Sequence, residues 1–316
     1  PLHPQWSMIW DFIADENITI FGCSASYLHY LKSIGAEPNV NRDLSRLREI
    51  SQTGSALSPE GFEFVYSKIN SDLHLNSISG GTDINGCFAG GSPTLPVYAG
   101  ELQAIGLGMK VKAYDENANS IYDQQGELVC ESPSPSMPIY FWNDKDNTKY
   151  TNAYFNYYKD RKVWRHGDYI VINGTTGGVT FYGRSDATLK PSGVRIGTAE
   201  IYNVVEELEE IADSLAIGQI YGEDQRVILF VQLNQGYELS DDLIAKIKIE
   251  LRSKASPRHV PSVILDIPDI PYTFSGKKVE SAVTNIINNR EVTNRGALRN
   301  PESLDRFDEL RKMLEV

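Results

Sequence analysis

Residues 183–197 read GRSDATLKPSGVRIG, and this stretch gathers several charges and glycines between a predicted strand and a predicted helix. The β-branched and aromatic run at residues 179–182 predicts a strand that ends at the first glycine. Residues 191–193 separate two short segments and predict a tight hairpin. A helix follows at 198–211, with Thr198 as its expected N-cap and apolar residues along one face. Cations and an acid thus surround a strand end and a hairpin, which is more typical of a binding site than of a core.

The order of these residues resembles the linker between the two domains of adenylate-forming enzymes. The resemblance rests on Gly-Arg-x-Asp at residues 183–186, a Gly-x-Arg hairpin and a helix that carries Glu. This superfamily includes acyl-CoA synthetases, luciferases and peptide-synthetase adenylation domains. The resemblance implies that Asp186 is a hinge about which a small C-terminal domain rotates between two half-reactions. Taken alone, the stretch is equally well explained as a solvated charged turn.

Composition and charge restrict the classes of partner. The chain has 316 residues, enough for two domains, and an ordinary hydrophobic content of 41%. Its formal charge of −12 would repel nucleic acids and membrane surfaces at long range. Cys23, Cys87 and Cys130 show no paired spacing, and no apolar run reaches about 18 residues. We therefore expect no nucleic-acid or membrane partner, and a reducing, cytoplasmic location.

Residues 1–185 are expected, from the resemblance, to be the C-terminal part of the large adenylation domain. In residues 1–95 strands, glycine turns and helices alternate, as in a parallel α/β sheet that binds ligands at its carboxyl edge. Residues 96–185 contain short strands and frequent turns, which predict a small β-barrel or sandwich with a long loop at 133–162. The elements predicted in this region are strands at 18–21, 111–114, 127–130, 169–172 and 179–182 and helices at 25–34 and 59–69.

Residues 186–290 predict a small, mobile α+β domain, and residues 291–316 predict a polar tail that wraps its surface. Ser240 is the expected N-cap of one helix, because two acids follow it in the first turn. The other elements predicted here are helices at 198–211 and 278–288 and strands at 214–220, 227–233 and 263–265. The predicted fold class is therefore α/β with a small β-barrel, followed by α+β.

Three segments resemble the nucleotide-binding motifs of the superfamily. Residues 53–57 are similar to its adenine-binding turn, residues 80–83 to its Tyr-Gly-x-Thr-Glu segment, and residues 164–168 to its Thr-Gly-Asp motif. The resemblance implies that Thr82 is a catalytic residue at the α-phosphate of ATP or AMP. It also implies that Asp83, shorter than the usual Glu, helps to hold Mg²⁺, a cation that prefers oxygen. The implied nucleotide-binding residues are Gly54, Ser55, Ala56, Gly81, Thr82, Asp83, Asp168, Arg184 and Arg195.

The resemblance also assigns roles to individual charged residues. Asp168 would accept hydrogen bonds from both ribose hydroxyls, Arg184 would contact the same ribose or the phosphates, and Arg195 would contact a phosphate. Residues 271–277 resemble the Gly-Lys loop of the superfamily. Lys277 would then be the catalytic lysine, bridging the substrate carboxylate and the α-phosphate as negative charge builds. Without its neighbours, Lys277 would be interpreted as an ordinary surface lysine.

Coenzyme A is a further ligand that the resemblance implies. Ser192, Gly193 and Arg252 correspond to places where short-chain acyl-CoA synthetases hold coenzyme A, with the arginine at its phosphates. Thr53 and Gly80 would border the acyl pocket. Acetyl-specific relatives carry Trp at the second position, so Gly80 implies an acid longer than acetate. Other segments resemble synthetases that activate acetoacetate, which is the expected substrate.

The phosphate-binding loop of the superfamily, a Ser/Thr/Gly-rich run that ends in Lys, is missing from the sequence. Residues 173–178 look similar but lack the Lys, and their position between two predicted strands favours a hairpin turn. We therefore interpret the chain as the C-terminal half of an acid–thiol ligase, inactive alone, with the N-terminal half as its partner. Another short- or medium-chain acyl-CoA synthetase, a peptide-synthetase adenylation domain and a non-catalytic nucleotide- or CoA-binding fragment stay open. His166 and His259 are interpreted as structural residues.

Overall fold

A computed structural model of the chain describes residues 5–185, 187–191, 194, 196–222, 224–274, 276–292 and 295–314. The predicted hinge Asp186 and the predicted ligand-binding residues Ser192, Gly193 and Arg195 lie outside these described residues. The chain divides into two units, Pro1–Phe181 and Tyr182–Val316. The division falls a few residues before the domain boundary suggested by the sequence.

Three parallel strands form the centre of the first part of unit 1. The elements here are α1 (Met8–Asp15), β1 (Ile20–Ser24), α2 (Ala25–Ser33), β2 (Glu49–Thr53), α3 (Pro59–Lys68) and β3 (His74–Ser77). The strands are ordered β1-β2-β3, and both pairs are parallel. All three strands therefore end at the same edge of the sheet, at Ser24, Thr53 and Ser77.

Serine caps determine where the two predicted helices of this part begin. The hydroxyls of Ser24 and Ser58 accept hydrogen bonds from the amide three residues later, at 3.1 and 3.3 Å. Both helices are confirmed as α2 and α3. The strand predicted at 18–21 begins instead at Ile20, because the amide of Ile18 donates a hydrogen bond to the end of α1.

The rest of unit 1 consists mainly of short strands. They are β4 (Ser79–Gly81), β5 (Gly86–Gly90), β6 (Ala104–Ile105), β7 (Val111–Tyr114), β8 (Ser120–Ile121), β9 (Gly126–Cys130), β10 (Trp164–Ile172) and β11 (Val179–Arg184). One sheet has the order β4-β5-β6 and the other the order β11-β10-β9-β7-β8. Among the strand pairs that the structure describes, the second sheet does not close into a barrel, and Phe88 of β5 shares one core cluster with its buried residues, as in the expected sandwich.

The prediction of an irregular loop at 133–162 is wrong, because this segment contains helix α4 (Thr148–Tyr154). The carboxylate of Asp144 accepts hydrogen bonds from two amides in its first turn, at 3.0 and 2.8 Å. Aromatic residues of the helix then pack on Trp164, with the Tyr154 ring stacked at 3.6 Å. The helix depends on this packing and on a carboxylate four residues before its first residue, and neither gives a helical pattern in the sequence.

A three-stranded sheet forms the centre of unit 2. The elements are α5 (Thr198–Val205), β12 (Ile211–Tyr221), β13 (Asp224–Leu233), α6 (Asp241–Lys254), β14 (Val263–Asp266), α7 (Glu280–Ile287) and α8 (Ser303–Leu314). The order is β12-β13-β14, antiparallel and then parallel. Leu229 and Val231 pack in a cluster with α5 and α6, whereas Ile228 and Phe230 pack with α7 and α8. Helices therefore bury both faces of β13. Among the helices in the described ranges, none is long and apolar enough to cross a membrane.

Most elements predicted for unit 2 are confirmed, including the helix capped by Ser240. The helix predicted at 198–211 is shorter and ends at Val205. Its N-cap is Gly197 rather than Thr198, since the carboxylate of Glu200 reaches back to accept the Gly197 amide at 2.8 Å.

The prediction of a polar tail after residue 290 is wrong for α8. This helix is rich in charged residues, but its apolar residues recur on one face and are buried. The rings of Phe307 and Phe230 meet edge to face, with centroids 4.9 Å apart. The last helix therefore contributes to the core of unit 2 and does not merely cover its surface.

We predict that Phe307→Ala lowers the free energy of unfolding by about 3–5 kcal/mol, because the removed ring is fully buried. The change applies to the unfolding transition that includes α8. Denaturant unfolding followed by circular dichroism would measure the change. Met313→Ala on the same helix is the control, since Met313 is 68% exposed and its truncation is expected to change stability by less than about 0.5 kcal/mol. Equal effects of the two substitutions would contradict the placement of α8.

Candidate functional site

The predicted adenine-binding turn lies at the carboxyl edge of the parallel sheet in unit 1. Gly54 follows β2 directly and has φ +99°, a conformation that favours glycine. The hydroxyl of Thr53 donates a hydrogen bond to the carbonyl of Ile78 at 3.0 Å. This bond ties residues 53–56 to the chain that leads into residues 80–83. Two predicted site segments are therefore neighbours.

Gly80 and Gly81 allow close approach of the backbone to its surroundings. A Cβ atom at Gly80 would lie 2.0 Å from the carbonyl oxygen of Gly86, so the pairing of β4 with β5 already requires glycine there. A Cβ atom at Gly81 would lie 2.1 Å from Oδ1 of Asp83 and 3.0 Å from Cε1 of His166. Gly81 thus adjoins two of the side chains in the predicted motifs. The role of Gly80 in an acyl pocket stays a prediction.

The carboxylate of Asp83 is held by two donors. The hydroxyl of Tyr154 donates to Oδ2 at 2.6 Å, and the amide of Ile84 donates to Oδ1 at 3.1 Å. Tyr154 is itself fixed by stacking on Trp164, with an interplanar angle of 13°. Tyr154 was not among the predicted site residues, because it lies in the segment interpreted as a loop. The run of aromatic residues at 154–158 was the available signal.

His166 lies between the carboxylates of the two predicted motifs. Its Nε2 atom is 3.7 Å from Oδ2 of Asp168, and both side chains are largely buried. The Trp164 indole donates to its Nδ1 at 3.4 Å, and the ring packs edge to face on Phe88 at 4.6 Å. His166 is thus packed as a structural histidine would be. Asp83 and His166 both adjoin Gly81, and His166 adjoins Asp168, so we refer to Asp83, His166 and Asp168 as a row of polar side chains.

Such a row suits ligands that carry hydroxyl groups or a cation. Carboxylates accept hydrogen bonds from diols and coordinate hard cations through oxygen. In the described ranges, no group of three or more His, Cys, Asp or Glu side chains is placed to hold a metal ion. The binding of a cation by Asp83 stays a prediction.

In unit 2, the stretch 183–197 forms the predicted hairpin as far as it is described. Leu189 and Ile196 are buried and exchange two backbone hydrogen bonds of 2.9 Å. Arg184 is exposed, and its carbonyl accepts the hydroxyl of Thr188 at 3.1 Å. Arg252 is exposed in the last turn of α6.

Lys277 lies in a second hairpin of unit 2, in which Tyr272 pairs with Lys278. The amide of Thr273 donates to the carbonyl of Lys277 at 2.9 Å, and its hydroxyl accepts the Lys277 amide at 3.0 Å. Gly276 has φ +77° at the turn. The side chain of Lys277 is exposed, and within the described ranges its ammonium group forms no ion pair. The hairpin therefore presents a free cation to solvent.

His259 binds Ser256 and Glu200, as a serine–histidine–carboxylate group would. The distances are 2.8 Å from Ser256 Oγ to Nδ1 and 3.2 Å from Nε2 to Glu200. However, Ser256 Oγ also accepts the amide of Arg258 at 3.3 Å and so caps a 3₁₀ turn. Glu200 at the same time accepts the Gly197 amide. The group connects this turn to the start of α5, in agreement with the structural interpretation of His259.

We predict that Gly81→Ala weakens the binding of AMP by about 10- to 100-fold, because the new methyl group would displace the carboxylate of Asp83 from its two donors. Isothermal titration calorimetry with AMP would measure the change, using a protein in which the chain is joined to the N-terminal half that the sequence implies. Gly90→Ala is the control, since its nearest neighbour would lie at an ordinary 3.9 Å. Unchanged affinity in Gly81→Ala would exclude Asp83 from the nucleotide site.

Known proteins are similar to the chain over nearly its whole length. No family model matches the chain. The chain is 49% identical over 313 residues to the acetoacetyl-coenzyme A synthetase of Rhizobium meliloti (strain 1021), covering 99% of this chain and 48% of the relative. It is 47% identical over 308 residues to that of Xenopus tropicalis, covering 97% and 46%. The chain thus spans about half the length of the curated relatives it matches.

Solved structures show the same relationship. The acetoacetyl-CoA synthetase from Streptomyces lividans matches with a TM-score of 0.91 and 40% identity, over 100% of this chain and 48% of that one. The anthranilate CoA ligase AuaEII, solved with anthranoyl-AMP, matches in fold alone, with a TM-score of 0.69 and 18% identity over 85% of this chain and 50% of that one. By sequence and fold, the chain is thus similar to about half of these acetoacetyl-CoA synthetases.

Proposed function

We propose that this chain forms part of an acetoacetate–CoA ligase, which converts acetoacetate, ATP and coenzyme A into acetoacetyl-CoA, AMP and pyrophosphate. The observation that carries the proposal is the row of Asp83, His166 and Asp168 beside the glycine turns at the edge of the parallel sheet. The identity to acetoacetyl-CoA synthetases across nearly the whole chain supports the choice of substrate.

In this proposal the nucleotide occupies the carboxyl edge of the sheet in unit 1. The turn at residues 54–56, exposed at Gly54 and Ser55, would contact adenine, and the carboxylate of Asp168 would accept the ribose hydroxyls. Thr82 would donate to the α-phosphate. Asp83 fits a magnesium site, since Mg²⁺ uses one or two carboxylates together with substrate phosphates. Mg²⁺ would supply charge neutralisation for the departing pyrophosphate.

The first half-reaction is adenylation. A carboxylate oxygen of acetoacetate attacks the α-phosphorus of ATP, the bond to the β-phosphate oxygen breaks, and pyrophosphate leaves. Negative charge grows on the α-phosphate in the transition state. Lys277 would stabilise this charge, since its ammonium group is exposed on a hairpin loop. Arg184 and Arg195 would contribute further positive charge near the phosphates.

The second half-reaction forms the thioester. The sulfur of coenzyme A attacks the acyl carbon of the adenylate, the thiol proton is lost, and AMP leaves. Rotation about Asp186 would withdraw Lys277 and bring Ser192 and Gly193 to the thiol. Arg252, exposed at the end of α6, would hold phosphates of coenzyme A.

The phosphate-binding loop would come from the N-terminal half of the synthetase, the partner that we propose for this chain. Residues 173–178 do not substitute for it. They form the predicted hairpin turn, in which the Asn173 amide donates to the carbonyl of Gly178 at 2.9 Å. We therefore expect the chain alone to lack activity and to bind nucleotide weakly. A cytoplasmic location also stays a prediction.

We predict that pyrophosphate is released from ATP in the presence of acetoacetate by a complete synthetase that contains this chain, and not by the chain alone. Acetate, butyrate and a reaction without acid are the controls in a coupled pyrophosphate assay. Faster pyrophosphate release with another acid would show that this acid, and not acetoacetate, is the substrate. Nucleotide binding without release by either protein would favour a non-catalytic binding function.

We predict that Lys277→Ala in the complete synthetase lowers the adenylation rate by about 100- to 1,000-fold, because the growing charge on the α-phosphate loses a donor. Thioester formation from supplied acetoacetyl adenylate should be unaffected, since that step does not use Lys277. The two half-reactions would be followed by pyrophosphate release and by thiol consumption.

The control is Lys246→Ala, which removes another lysine of unit 2, paired with Glu210 at 2.6 Å. This substitution should leave both half-reactions unchanged. Equal loss of both half-reactions in Lys277→Ala would remove Lys277 from its catalytic role.

A further inference from the structure

The hairpin that carries Lys277 is attached to unit 2 through one carboxylate. Tyr272 and Lys278 lie directly opposite each other in this hairpin. The hydroxyl of Tyr272 donates to Oδ2 of Asp213, and the ammonium of Lys278 lies 2.7 Å from Oδ1 of the same residue. Both strands of the hairpin are therefore bound by Asp213. We call this group of three residues the Asp213 clamp.

The clamp is buried in a polar environment that satisfies its charges. The side chains of Lys278 and Asp213 are 17% and 16% exposed. Lys278 also donates to Glu206 and to the carbonyl of Ser214 at 2.6 Å, and its ammonium lies 4.1 Å from the ring centroid of Tyr202. A buried cation with this many partners has few alternative positions.

Protonation states in the clamp favour the same contacts. Burial lowers the pKa of Lys278, but the nearby carboxylates of Glu206 and Asp213 more than offset this effect and raise it above its usual value. Burial raises the pKa of the Tyr272 phenol. At neutral pH, Lys278 is thus a cation and Tyr272 is a donor to Asp213.

The local backbone geometry directs the side chain of Lys277 away from Asp213, to the outer side of the hairpin. Asp213 follows a register shift near the start of β12, and such bulges commonly redirect a side chain. In the extended hairpin, neighbouring side chains alternate in direction. Because Lys278 points into unit 2, Lys277 points away from it and is exposed. The clamp thus sets the direction of the side chain that precedes it.

The hairpin is also held by the segment that precedes α8. Thr273 pairs with Leu298, and the amide of Arg299 donates to the carbonyl of Tyr272 at 2.8 Å. The side-chain oxygen of Asn300 accepts the Tyr272 amide at 2.9 Å. These contacts hold the backbone of one strand, whereas the clamp connects both strands to β12.

From these contacts we infer that Asp213 is a positioning residue for adenylation, acting through Tyr272 and Lys278 to fix the hairpin that presents Lys277. The inference rests on the proposed role of Lys277. A lysine side chain is long and flexible, so its rate contribution depends on how firmly the backbone beneath it is held. Without the clamp, Lys277 would sample more positions, and fewer of them would reach the growing charge.

The test compares Asp213→Asn and Tyr272→Phe in the complete synthetase. Each variant should lower kcat for adenylation by about 10- to 100-fold, the loss expected from a displacement of about 1 Å. Thioester formation from supplied adenylate and the KM for acetoacetate should stay within about twofold, a change small beside that loss. Tyr272→Phe keeps the partly buried ring and removes only the hydroxyl, so it serves even if Asp213→Asn does not fold. Combined with Asp213→Asn, it should add little, since the two residues share one contact.

Lys246→Met is the matched control, because it breaks an exposed lysine–carboxylate pair of the same unit far from the hairpin in sequence. Proportional loss of both half-reactions with a lower Tm would overturn the inference in favour of a structural role. The inference would also be overturned if Asp213→Asn and Tyr272→Phe kept the full adenylation rate while Lys277→Ala lost adenylation. Full adenylation in Lys277→Ala would instead show that the proposed role of Lys277 has failed.

Discussion

A polar group that leaves water must find a partner, and this constraint holds together the parts of the chain that lack a strong helix or strand pattern. Gln103 is 6% exposed and makes four hydrogen bonds. Its amide group and oxygen bind the backbone of Ser92 and Leu95, and its oxygen also lies 2.6 Å from Nε2 of His74. One buried side chain thus fixes the loop between β5 and β6 against the end strand of the parallel sheet. In unit 2, Lys278 likewise connects its hairpin to β12 through Asp213 and the carbonyl of Ser214.

Sequence predicts well those elements whose signal is local. Ser24, Ser58 and Ser240 each cap a helix through an amide three residues away, so the residues that define the helix start are close together in the chain. Helix α4 has no such signal, because its cap is Asp144 and its stability comes from packing on Trp164. Helix α8 was missed for another reason. Its many charges concealed a regular apolar face.

In the candidate site, too, residues with a local sequence signal can be predicted, whereas residues that reach the site from far along the chain cannot. The motifs that predict Gly54, Gly81, Asp83 and Asp168 are each continuous in sequence, and contacts through Thr53, Gly81 and His166 connect the segments that carry them. Tyr154 could not be found in this way, since it reaches Asp83 from 71 residues away. Asp213 is likewise far in sequence from the hairpin that it binds. Residues that orient others leave no local pattern, because their partners are brought to them by the fold.

The burial of β13 on both faces has a consequence for the unfolded chain. Residues 227–231 read VILFV, a run with high β propensity and no charge or proline. Such a segment readily pairs with copies of itself when it is exposed. In the folded unit, β13 lies between β12 and β14, so both of its edges are occupied as well. Folding of the α+β unit therefore removes a segment prone to aggregation from solvent, and a substitution that opens this sheet would expose both its faces and its edges.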